Sequence, residues 1–117
     1  MKTKISLSLT EGKFLYSSIS NIIRNTPVYI NEIDFINYAN QYELKKINQR
    51  LQLKLIRSKK KFTFVFDPAE VLALNYFTPA LIHCEAEAYL RIILDKIFQG
   101  ATDQLHANIL KMKYFSM

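Results

Sequence analysis

Lys46, Arg50, Lys54 and Arg57 fall at i, i+4, i+8 and i+11, a spacing that lays four cations along one side of a helix. Lys45 lies beside that row, and Lys59, Lys60 and Lys61 extend it past the helix end. Half of the 16 basic residues therefore sit between 45 and 61, and no acid interrupts them between Glu43 and Asp67. The remaining 8 basic residues face 10 acids, so the net charge of +6 is local to this block. A row of this kind neutralises phosphates or carboxylates, with a steep salt dependence where the ligand is a polyanion. Asn48, Gln49, Gln52 and Ser58 lie among the cations and add hydrogen-bonding capacity. The plainer use of the row is a solvated helix face whose lysine stems cover apolar surface.

A second group, His83-Cys84-Glu85-Ala86-Glu87, could hold a divalent ion or move protons, because His83 and Glu87 share a face on a helix. A metal site needs a third ligand, and His106 is the one other histidine, so an ordinary polar stripe is the expected reading. Cys84 is the sole cysteine, and the carboxylates beside it oppose a thiolate, which suits a small buried residue better than a nucleophile. No nucleophile elbow, glycine-rich phosphate loop or metalloprotease motif is present. We expect no enzyme, no cofactor and no metal.

The elements that must position these residues start from Lys61-Phe-Thr-Phe-Val-Phe-Asp-Pro-Ala-Glu70. Phe62, Phe64 and Phe66 alternate as on one face of a strand. Asp67 then supplies an N-cap oxygen, Pro68 suits the first helical position, and Glu70 stands where a capping-box acid reaches back. A fainter copy, Lys4-Ile-Ser-Leu-Ser-Leu-Thr10, predicts a strand over residues 4–9 with Thr10 as the following N-cap. An offset of 57 superposes the two junctions and predicts two β-α-α halves, 1–58 and 59–117, whose strands pair antiparallel.

Leu15, Ile19, Ile22 and Ile23 give the first helix its stripe, and Pro27 ends it. A second helix starts at an Asn31/Asp34 box and carries Phe35, Ala39 and Tyr42, then Leu44, Ile47, Leu51 and Leu55. Residues 50–57 also alternate and could instead form a strand; the upstream helical spacing favours helix. A third helix opens at Asp67-Pro68. A fourth runs from a Thr78 cap to about Ile97, with Gly100 as its C-cap. Thr102 or Asp103 opens a fifth, with Leu105, Ile109 and Met112 as its stripe. Tyr38, Tyr42, Tyr114 and Phe115 are candidate contact points, although aromatics at helical spacing more often enter a core.

At 117 residues with half of them hydrophobic, the chain reads as one domain able to bury a core. The lone cysteine excludes an intrachain disulfide and points to a reducing compartment. No run approaches the roughly 18 apolar residues of a membrane span, and Ser and Glu11 interrupt the N-terminal apolar stretch, so a cytoplasmic location is expected.

These features predict a helix-rich α+β domain, about five helices packed on a short two-stranded antiparallel ribbon. The expected role is a non-catalytic interaction module, homo-oligomeric, that docks an acidic protein through Lys45, Lys46, Arg50, Lys54, Arg57, Lys59, Lys60 and Lys61. The alternative is a nucleic-acid-binding accessory protein using the same 45–61 stretch. An enzyme with a His83/Glu87 site ranks third. Membrane attachment is not expected.

Overall fold

The computed structural model describes residues 2–25, 35–58, 60–83 and 86–115, with side chains in the last segment through 107. The order is β1 (Thr3–Ser8), α1 (Leu9–Asn25), α2 (Phe35–Arg57), β2 (Lys61–Phe66), α3 (Pro68–Tyr76), α4 (Thr78–Leu81) and α5 (Glu87–Phe115). Five helices thus pack on a two-stranded antiparallel ribbon, the predicted fold class. The proposed Asn31 start of the second helix lies outside the described residues.

β1 and β2 pair with Thr3 opposite Phe66, Ile5 opposite Phe64 and Leu7 opposite Phe62. Alternation sends those six side chains inward, where all are buried, while Lys4, Ser6, Lys61 and Thr63 face solvent. A two-stranded ribbon is marginal alone and needs such a backing. Phe64 and Phe66 meet edge-on with ring centroids 4.8 Å apart. Leu15, Ile19 and Ile22 of α1, Leu44, Ile47 and Leu51 of α2, and Leu90, Ile93 and Ile97 of α5 complete one core cluster. Residues 50–57 are helical, so the strand alternative falls.

Each strand runs straight into a capped helix, as the sequence predicts, but the first cap is Ser8 rather than Thr10. The Ser8 hydroxyl accepts from the Glu11 amide (3.0 Å), and the Ser8 amide donates to Glu11 Oε1 (2.9 Å). Asp67 and Glu70 repeat the reciprocal box at the second junction, both bonds 2.9 Å. The two boxes lie 59 residues apart, so the correspondence shifts from 57 to 59. At that offset Ile5 falls on Phe64, its own cross-strand partner, as a local twofold through the pair requires.

The C-terminal helices depart from the expectation. Glu70, Ala73, Leu74, Phe77 and Leu81 form one buried stripe, so α3 and α4 share one inward face and are separated by Phe77 alone, two positions before Pro79, which lacks an N–H. Thr78 caps nothing; its hydroxyl donates to the Leu74 carbonyl (2.8 Å). The break falls later, between Leu81 and Glu87. A straight helix would put Leu81 opposite Leu90 and Ile97, and only a break lets all three enter the core.

Gly100 is not a C-cap. α5 passes through it because a Cβ there would stand 2.7 Å from Ile5 Cδ1, so glycine lets the helix approach β1. Thr102 and Asp103 do not open a new helix. Thr102 donates to the Phe98 carbonyl (2.9 Å) and Asp103 accepts from Gln99 (2.9 Å), both bonds within one turn.

Glu11 also receives Lys96 Nζ from α5 at 3.3 Å. Burial alone would raise its carboxyl, but the Ser8 amide and hydroxyl and the Lys96 charge outweigh it and hold the pKa below the ordinary value. A depressed carboxyl contributes stability above its unfolded pKa and loses it as pH falls through the folded pKa. Glu11→Gln keeps an acceptor in the box but not the charge. It should be less stable than the parent near neutrality in urea titrations, with the difference closing in acid; a pH-independent difference would assign the loss to packing.

Candidate functional site

α2 runs antiparallel beside the outer edge of β2, and the basic row meets that strand in order. Lys46 stands at the β2–α3 junction, its Nζ 2.9 Å from Glu43 Oε2 and 3.6 Å from Asp67 Oδ2. The contact with Glu43, with the Asp67 charge behind it, raises the Lys46 ammonium above its ordinary value against a partial desolvation. Glu43 Oε2 is buried, and the Lys46 ammonium is its countercharge.

Arg50 is the hinge of the site. Its Nη1 donates to the Val65 carbonyl (2.7 Å), its Nη2 pairs with Glu70 Oε2, and its guanidinium lies 4.7 Å from the Phe64 ring centroid. Glu70 is 1 % exposed, so the cap acid of α3 is a buried carboxylate whose countercharge comes from α2. The capping acids read from the sequence thus face the basic row, a contact of high sequence separation that spacing cannot reveal. Glu43, Asp67 and Glu70 bring one oxygen each within 4.8 Å of one another, a grouping a divalent ion could use. Here Lys46 and Arg50 neutralise the cluster.

Beyond Arg50 the row opens. Lys54 and Arg57 are exposed, with no ion pair among the described residues, and line a cavity of about 370 Å³ with Leu53 and the Thr63–Val65 edge of β2. Lys45, Lys60 and Lys61 are also exposed without an ion-pair partner among the described residues, and Lys59 lies outside them. The predicted set therefore divides into two structural cations, Lys46 and Arg50, an exposed Lys45 beside them in mid-helix, and a free group, Lys54, Arg57, Lys60 and Lys61, from the C-terminal turn of α2 to the start of β2. Leu53, Thr63 and Val65 were missed as site residues. Thr63 and Val65 alternate outward in the pattern, but nothing in sequence shows that the edge beside them is open.

The outward face of α2 carries large apolar side chains. Phe35 (74 % exposed), Tyr38, Tyr42, Leu53 and Ile56 (75 % exposed) lie on one arc of the helix. The Phe35, Ala39 and Tyr42 stripe faces outward, and Tyr38 and Tyr42, the candidate contact points of this helix, are each 58 % exposed; the core side takes Gln41, Leu44, Ile47, Asn48 and Leu51. Asn48 Nδ2 donates to Ser20 Oγ (2.7 Å), tying α2 to α1.

His83 and Glu87 do not share a helix. His83 is exposed after α4, whereas Glu87 opens α5 and binds Arg91 at 2.8 Å. Cys84 lies outside the described residues, as do the side chains of Tyr114 and Phe115. His83 lines a cavity of about 690 Å³ between α1, α4 and the start of α5, together with Ser17, Ser20, Asn21 and Arg24. No carboxylate is among its described lining residues. Among the described residues no helix is long and apolar enough to cross a membrane. No protein-family model, curated protein or solved structure matches this chain.

Removing Arg50 strands a buried charge, which mutational work on buried pairs places at several kcal/mol; the partial exposure of Arg50 reduces this. Arg50→Ala should cost about 2–3 kcal/mol in urea titrations. The double variant Arg50→Ala/Glu70→Gln should lose less than the two single losses combined, with a coupling of about 1–3 kcal/mol. Additive losses would show that the pair contributes nothing specific.

Proposed function

We propose that this chain is a non-catalytic protein-interaction module that docks an acidic partner at the basic end of α2 and assembles with a second copy of itself. The observation that carries the docking half is the groove between α2 and β2. Lys54 and Arg57 flank exposed Leu53 there, so cations and apolar surface share one concave site. Acidic protein segments with apolar residues offer both complements. A nucleic-acid duplex would use a longer run of cations, and two of the four residues in the helical row are engaged with Glu43, Asp67 and Glu70.

The test is fluorescence anisotropy with two labelled probes, a short peptide of alternating glutamate and valine and a mixed-sequence DNA duplex. The peptide should bind, and Lys54→Glu/Arg57→Glu should abolish binding while leaving the melting temperature unchanged. Tighter binding of the duplex with a steep salt dependence would replace this reading by the nucleic-acid one.

The assembly half rests on the exposed arc of α2. Its N-terminal part is aromatic, with Phe35, Tyr38 and Tyr42, and its C-terminal part is aliphatic at Ile56, which does not line the groove. An antiparallel pair of α2 helices brings each part onto the other, placing aromatic faces against Ile56 and leaving Lys54 and Arg57 to the acidic partner. Sedimentation should show a concentration-dependent dimer that Ile56→Glu converts to monomer. A parent chain that stays monomeric at every concentration would remove assembly from the proposal.

A further inference from the structure

The two strands bond in a fixed alternation. The Leu9 amide donates to the Lys60 carbonyl (2.7 Å), which continues the ladder in which residues 62, 64 and 66 bond to β1. Lys61, Thr63 and Val65 therefore turn their amides and carbonyls away from β1. Two observations agree with this phase. The Val65 carbonyl accepts from Arg50, and Ser8, opposite Lys61, gives its amide to Glu11.

Arg50 thus occupies the β2 edge at Val65, and the edge is open from there back toward Lys61. No group among the described residues takes the outward amide or carbonyl of Thr63 or Lys61. Thr63 lies in the same cavity as Lys54 and Arg57, so unpaired strand groups and free cations face one space.

Resting on the acidic-partner reading above, we infer that the partner binds as an extended acidic segment that adds a strand to the open edge of β2. Its backbone pairs with Thr63 and Lys61, and alternate acidic side chains meet Lys54 and Arg57. The occupant is another protein's segment rather than a second β2. Two β2 edges brought together would oppose Lys60 and Lys61, with Lys54 and Arg57 close by on each copy. The Arg50 side chain sets the end of the added strand and so its register.

Strand addition is separable from charge attraction. Thr63→Pro removes the outward amide without breaking a ladder bond, because the Thr63 N–H takes no part in the ladder with β1, and Thr63→Val controls for the lost hydroxyl. It should weaken the glutamate–valine peptide by about fivefold to tenfold, the worth of one hydrogen bond. Two N-methylated versions of the peptide test the same point without altering the protein. One blocks the amides on the glutamate residues and the other those on the valines; side-chain alternation fixes which set faces β2. Strand addition requires that one version lose binding and the other keep it. If both N-methylated peptides bind like the parent peptide while Lys54→Glu/Arg57→Glu abolishes binding, strand addition is overturned and the acidic-partner reading stands. If the parent peptide fails to bind, or binds regardless of charge reversal, both fall together.

Discussion

The pairing of Arg50 with the buried Glu70 carboxylate is the constraint on which the arrangement depends. A carboxylate held at 1 % exposure is tolerable only with its oxygens satisfied, and here the Asp67 amide takes one and Arg50 the other. The same guanidinium reaches the Val65 carbonyl and covers the Phe64 ring. One side chain from α2 thereby holds the edge of β2, the start of α3 and the aromatic row of the ribbon in a single relation. Sliding α2 along β2 by one turn would strand Glu70, so the register of helix against strand is fixed by charge as well as by packing.

This pairing also decides which cations remain for a partner. A net charge of +6 and a continuous basic row suggest one uniform surface, yet two members of that row belong to the fold. Lys46 and Arg50 are matched against Glu43, Asp67 and Glu70, and the local charge there is close to balanced. Apart from Lys45 in mid-helix, the unmatched cations among the described residues collect at the C-terminal end of α2 and the start of β2. A surface that would favour any polyanion becomes a short patch with apolar neighbours.

How much was legible in the sequence follows from the range of the interactions involved. The alternation of Phe62, Phe64 and Phe66 and the Asp67-Pro68-Glu70 start are local signals, and both elements form as read. Ser8 and Glu11 carry the same box, but Thr10 is an equally good cap in composition, and only the end of the β1 ladder selects Ser8. Gly100, Thr102 and Asp103 imitate a helix end. Close packing of α5 on β1 gives Gly100 a different purpose, and the hydroxyl and carboxylate bond back along the helix. The basic row was read correctly as a helical face, whereas its division by Glu70 and Asp67 depends on contacts about twenty residues apart.

An edge strand invites unwanted pairing, and this ribbon meets the hazard in two ways along one strand. At Val65 a guanidinium takes the outward carbonyl and closes the edge with a side chain. Toward Lys61 no group among the described residues closes it, and positive charge stands there instead. Charge of one sign rejects a copy of itself and rejects neutral apolar strands less strongly, but it attracts an acidic one. The device that protects an open edge is therefore also a filter on what can pair with it, with Arg50 marking where protection by occupancy ends and selection by charge begins.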